Sequence, residues 1–428
     1  MEPLEVHRKD WRSMIAMGLS ALGTLFFLVK AITFSALLLI SNLNSQINTD
    51  ENSLFGLLIW YSLLSGVLLI PVFLFSLYDY REKPIPTWMD TIRHEIKKRL
   101  LWLILLLPAI IFIGWLVAGQ PTLSVFILGL NNIMVVGIPV LWLCTVAQSQ
   151  LNGGSRVRKW RIFGFSLTVL PFLVIFIEIL AFLILFGFGG IIIAYRMSVN
   201  PLLEHELMFF IDQISLNRGN LDKIFQLLEP YIIQPSVIFW VFAIFSGVIP
   251  LIEEFIKPIA LWSLAGSDIS PQEGFVGGLL CGAGFSLMEN LLYFNIAVTA
   301  EEWLFMSIGR IGTTALHMLA SGLIGWGLAI TWREGKWLPL MVMTLGSIFL
   351  HGFWNALALL SGIFPLFIGT LEVTPIQKII FNLPLVLLFF VSVMGIFLIN
   401  HYFRKGEKSQ ALITHTNIEQ EGVADDVS

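Results

Sequence analysis

From residue 14 to residue 400 the chain alternates long apolar runs with short polar ones. Each run has roughly the 20 residues that an α-helix needs to cross about 30 Å of hydrocarbon. About ten runs meet that length. They lie at residues 14–40, 54–77, 100–118, 123–146, 162–190, 236–263, 275–298, 304–331, 338–362 and 376–400. The period-two alternation of a transmembrane β-barrel is absent from them. The pattern predicts an all-α, polytopic integral membrane protein, because a helix satisfies its own backbone hydrogen bonds in lipid.

Composition strengthens that prediction. Hydrophobic residues make up 57% and charged residues 13% of the chain, with a mean hydropathy of +0.83, far from a soluble average. The net charge of -4 says little, but the placement of Lys and Arg orients the chain. Arg8, Lys9 and Arg12 precede the first run. Arg81, Lys83, Arg93, Lys97, Lys98 and Arg99 join the second run to the third, and Arg156, Arg158, Lys159 and Arg161 join the fourth to the fifth. Arg333, Lys336, Arg404 and Lys405 continue on the same side, whereas connections 41–53, 119–122, 299–303 and 363–375 lack Lys and Arg. Both termini are therefore expected in the cytoplasm. The first run exceeds a signal-peptide core and has no small-residue cleavage site after it, so it is expected to remain as an anchor.

Four segments follow from this reading. Residues 1–194 form an N-terminal membrane domain of five helices. Residues 195–235 form an extracytoplasmic amphipathic connection, read either as a helix along the membrane surface or as a substrate gate. Residues 236–400 form a second set of five helices, and the polar residues 401–428 a disordered cytoplasmic tail. Inside the first domain Lys30 and Glu178 sit near the middle of their runs. They are either isolated, satisfied polar groups or an ion pair between two helices. Cys144 and Cys281 both lie in apolar runs and read as small hydrophobes. Zinc-finger spacing, a phosphate-binding loop and a GxSxG elbow are all missing from the sequence, so neither nucleotide chemistry nor a nucleic-acid partner is indicated.

The second half carries chemistry. Glu253 and Lys257 are four residues apart in "LIEEFIKP", and Phe285, Glu289 and Tyr293 are so spaced in "GFSLMENLLYF". His317 with Ser321, and His351 with Asn355 in "HGFWNA", repeat the interval in the next two runs. A spacing of four puts both members on one helix face, so each helix presents a polar stripe. At about 1.5 Å rise per residue, Glu289, His317 and His351 fall within roughly 3 Å of the midplane. A charge at that depth costs about 2.5–3.5 kcal/mol on insertion scales. Hydrogen-bonded glue between helices explains one such residue, but four stripes at one level point to a site. Glu254 is turned about 100° from Glu253 and reads as a supporting acid. Asn290 is likewise off the Glu289 face. Arg310, seven residues before His317, reads either as a contact for substrate or as a snorkelling cation.

"EEFIK", "FSLMENLLY", a His in the following span and "HGFWN" in the next resemble the four ordered motifs of the PrsW family of intramembrane proteases. That family sits in the superfamily of CAAX prenyl endopeptidases and bacterial Abi proteins. The resemblance covers about residues 236–362 and makes residues 236–400 a PrsW-like protease core. It implies peptide-bond hydrolysis in the cell membrane, on substrates that are membrane-embedded or membrane-anchored proteins such as anti-sigma factors. Catalytic roles then fall to Glu253, Glu254, Glu289, His317, His351 and Asn355, with Lys257, Asn290 and Arg310 around them. Where the relatives' second motif has FxxxH, this chain has Phe285 followed by Glu289. Glu289, His317 and His351 could hold a zinc ion, although no HExxH is present; the alternative is water activated by glutamate without metal. Two other classes stay open: a transporter for metal ions or protons, and a non-catalytic membrane scaffold.

Overall fold

The computed structural model describes residues 11–43, 49–118, 120, 124–294, 299–367 and 374–425. Its elements are helices α1 (Trp11–Leu43), α2 (Thr49–Tyr80), α3 (Thr87–Leu103), α4 (Leu107–Ala118), α5 (Gly129–Ala147), α6 (Arg156–Thr168) and α7 (Leu170–Val199). They continue with α8 (Pro201–Leu216), α9 (Leu221–Ile232), α10 (Pro235–Ala243), α11 (Ile249–Ile256) and α12 (Ile259–Trp262). The last are α13 (Pro271–Tyr293), α14 (Ala300–Glu334), α15 (Trp337–Phe367) and α16 (Pro375–Asp425). Strands are absent among the described residues, where nine segments are long and apolar enough to cross a membrane. A tenth is added if the pair Thr87–Leu100 and Ile104–Ala118, bent by 41°, counts as one span. The expected all-α polytopic membrane architecture is what the chain adopts.

Where helices differ from the apolar runs, a local residue accounts for it. The fifth run divides at Val169, where Pro171 has no N–H to offer the Leu167 carbonyl and its ring crowds that carbonyl. The connection after α7 forms two helices where the sequence pattern suggests one. Asn200 accepts from the amides of Leu202 and Leu203 to start α8, and Asn220 accepts from Lys223 to start α9. The last helix continues as far as Asp425, into the stretch for which composition suggests disorder. No proline follows Pro384, so no break of that kind stops it.

The chain forms two compact units. The first takes Met1–Pro171, Lys257–Ser347 and Leu387–Ser428; the second takes Phe172–Ile256 and Ile348–Val386. In the first, α13 and α14 lie at the centre, with 89% and 83% of their most apolar stretches buried. Phe27, Tyr61, Leu69, Val72 and Met288 make one core cluster from α1, α2 and α13. The indole of Trp303 on α14 donates to Asn132 on α5 at 2.8 Å. Arg158 on α6 pairs with Glu273 at 2.9 Å, the same carboxylate that completes the capping box of α13 with Ser270. The outward faces carry exposed side chains such as Phe26, Ile32 and Leu39, as lipid contact requires. Lys30 is exposed too, with its ammonium over the rings of Phe26 and Phe34.

Candidate active site

Each unit contains one set of the polar side chains singled out from the sequence. In the second unit the geometry starts from Pro250. It has no N–H for the carbonyl one turn back, and its ring crowds that carbonyl. The chain ahead of it widens into a π-helical turn at Ile244–Val248, between α10 and α11. Asn355 of α15 donates to the Phe245 carbonyl of that turn at 3.0 Å. Gly352 comes so close that a Cβ on it would lie 2.2 Å from the Ser246 carbonyl oxygen. Only glycine allows that approach, and it brings the neighbouring His351 to α11.

His351 Nδ1 lies 2.9 Å from Glu254 Oε1 and 3.9 Å from Glu253 Oε2. All three side chains are buried, Glu253 to 6% exposure and Glu254 to 0%. The 100° between the two glutamates on a helical wheel does not stop both from reaching one imidazole, since long side chains span that arc. Gly352→Ala is expected to lower the thermal midpoint in detergent by the equivalent of about 1–3 kcal/mol, the usual cost of overpacking. An unchanged midpoint would contradict the close approach.

The first unit holds Lys257, Glu289, Asn290, Arg310 and His317. Lys257 follows the end of α11, and its Nζ lies 2.8 Å from His317 Nδ1 and 4.5 Å from the centre of the Phe285 ring. An ammonium only donates, so Nδ1 is assigned as acceptor and the ring proton goes to Nε2. Nε2 is 2.8 Å from Glu289 Oε2. Arg310 donates to Glu289 Oε1 at 3.2 Å and stacks 3.5 Å from the centre of the Tyr293 ring. Lys257, His317, Glu289 and Arg310 thus form a continuous polar chain. Phe285 packs edge-on against His317, with ring centres 5.5 Å apart.

Asn290 locks α13 to α14. Its amide donates to the Arg310 carbonyl at 3.1 Å and to Thr314 at 2.9 Å, and accepts from Thr313 at 2.9 Å. No sequence pattern marks Thr313 and Thr314. A hydroxyl inside an apolar run is too common a signal to mark them. Nor does any pattern mark Gly352, whose role depends on the turn ahead of Pro250, far away in the chain.

The donor atoms of Glu253, Glu254 and His351 all lie within 4.8 Å of one another. Carboxylate oxygen and imidazole nitrogen are donors that zinc accepts, and donors this close can converge on one ion with small side-chain shifts. By donor chemistry and spacing, these residues fit a divalent cation.

The family model described as PrsW family intramembrane metalloprotease matches residues 178–394, about half of the chain. The chain belongs to the PrsW family. No curated protein and no solved structure matches it. The PrsW stretch contains all the candidate residues above, and it begins well upstream of the motif resemblance, inside α7. Membership places the protein among intramembrane proteases, in keeping with its many apolar helices.

Proposed function

We propose that the chain is an endopeptidase of the cell membrane that hydrolyses peptide bonds of membrane-embedded or membrane-anchored proteins. The observation that carries this reading is the buried contact of His351 with Glu254, with Glu253 beside it, in PrsW-family helices. Glu253 takes the proton from the attacking water and returns it to the amide nitrogen as the C–N bond breaks and the amine leaves. Glu254 accepts from Nδ1–H of His351 and fixes the ring, so that Nε2 accepts from the same water and aims it at the carbonyl of the scissile bond. Asn355 braces the π-helical turn that presents both acids. On the motif order alone, Glu289 and His317 belong to the same reaction: Glu289 is the second acid, held by Arg310 and oriented by His317, while Lys257 fixes the His317 tautomer. Asn290 keeps their two helices in register. Where zinc is present, Glu253, Glu254 and His351 would hold it; it would supply Lewis acidity for the water and the carbonyl, and Glu253, as a ligand, would no longer serve as the base. Substrates of the anti-sigma-factor kind follow from the motif resemblance.

The test combines metal content with cleavage. Purified protein is analysed by elemental mass spectrometry beside His351→Ala, and both are reconstituted in liposomes with single-span reporter proteins. The expected result is reporter cut within its membrane segment by the wild type and left intact by the variant. Near-stoichiometric zinc lost in His351→Ala would support the metal assignment. Intact reporters throughout a panel, with folded wild type, would overturn the protease reading.

A further inference from the structure

We propose that α3 lies in the membrane interface and binds the headgroups of anionic phospholipids. This helix precedes the PrsW stretch, and none of the proposed chemistry uses it. It contains Arg93, Lys97, Lys98 and Arg99 against two acids, Asp90 and Glu95. Both acids have arginine partners: Arg156 lies 2.5 Å from Asp90, and Arg99 lies 3.6 Å from Glu95. Lys97, Lys98 and Arg99 are exposed, and so are Trp88, Ile96 and Trp102, the last at 69%. Leu100, buried, turns the opposite face inward.

No single solvent suits this mixture. Hydrocarbon would strip water from three neighbouring cations, and bulk water would wet two tryptophans and an isoleucine. The boundary between them accommodates both, with indoles at headgroup depth and cations among the phosphates. The chain path agrees, since the pair formed by α3 and the apolar residues after it bends by 41°. An open hollow of about 420 Å³ follows that bend, lined by Arg99, Trp102, Leu103, Leu105 and Leu106. One guanidinium beside an apolar hollow matches an acidic headgroup with its acyl chain. The excess of cations selects an anionic lipid over a zwitterionic one, since a juxtamembrane Lys or Arg contributes about fivefold in affinity for a negative surface.

The test uses the full chain, purified in detergent, delipidated, and titrated with phosphatidylglycerol or phosphatidylcholine. Bound lipid is counted by native mass spectrometry. Wild type is expected to prefer phosphatidylglycerol by about a hundredfold, the product of three contributions of about fivefold each. The triple variant Lys97→Gln/Lys98→Gln/Arg99→Gln should lose that preference at an unchanged thermal midpoint, whereas Lys336→Gln, an exposed cation elsewhere, should keep it. Equal retention of the two lipids by wild type, or a preference that survives the triple change, would overturn the proposal. If the triple variant does not fold, Lys98→Gln alone decides by an expected drop of about fivefold.

Discussion

Glu253→Gln is expected to lower peptide hydrolysis by roughly 10²- to 10⁴-fold, the range associated with loss of a general base. Glu254→Gln should lower it less, by about 10- to 100-fold, as removal of a carboxylate that orients a catalytic imidazole does. The difference rests on one nitrogen. His351 Nδ1 can donate a single hydrogen bond, and Glu254 is the nearer acceptor, at 2.9 Å against 3.9 Å for Glu253. Glu254 is also completely buried, while Glu253 keeps 6% exposure. Glutamine preserves shape and one acceptor oxygen, so neither change should cost much stability; thermal midpoints in detergent check that. Turnover of a membrane-anchored reporter by the two variants, measured side by side, decides the assignment. Full activity in Glu253→Gln would remove its role, and a more severe loss in Glu254→Gln would exchange the two.

The membrane-spanning helices were legible because hydrophobicity over some 20 residues is set by the bilayer and needs no knowledge of neighbours. Their interruptions were less legible. Pro171 and Pro250 stand in the sequence, but whether a proline kinks a helix, divides it or widens one turn depends on which groups satisfy the carbonyls it releases. At Pro250 that group is Asn355, brought in by Gly352 from a helix that hydropathy cannot pair with α11. The candidate residues were legible as types and intervals. Glu289 and His317 do lie on facing sides of α13 and α14, and Arg310 reaches the same carboxylate two turns from His317. Pairing choices were not legible. The ammonium of Lys257 meets His317 at 2.8 Å, across 60 positions of sequence that no interval along one helix announces.

Gly282→Ala is expected to be among the most damaging single-methyl changes in the protein, lowering both thermal stability and activity. Gly274, Gly278 and Gly282 recur every four residues on α13, so they form one face of the helix. A Cβ at these positions would lie 2.4 Å from the Gly325 oxygen, 2.1 Å from the Ser321 oxygen and 2.2 Å from the His317 oxygen respectively. Those atoms are backbone, which cannot swing aside as a side chain can, so α13 and α14 must separate. The usual cost of overpacking is about 1–3 kcal/mol, and a rigid obstacle puts this change at the upper end. Chemistry suffers with stability, because the obstacle at Gly282 is the carbonyl of His317 itself, and separation would pull that ring from Glu289. Gly309→Ala supplies the control on α14, since a Cβ there meets nothing within 4 Å. It should leave activity intact and raise stability by about 0.4–1 kcal/mol through the unfolded state. Similar thermal midpoints and similar turnover for the two variants would show that the helices are not in backbone contact at His317. A loss confined to Gly282→Ala would tie the glycine face of α13 to the placement of the second acid.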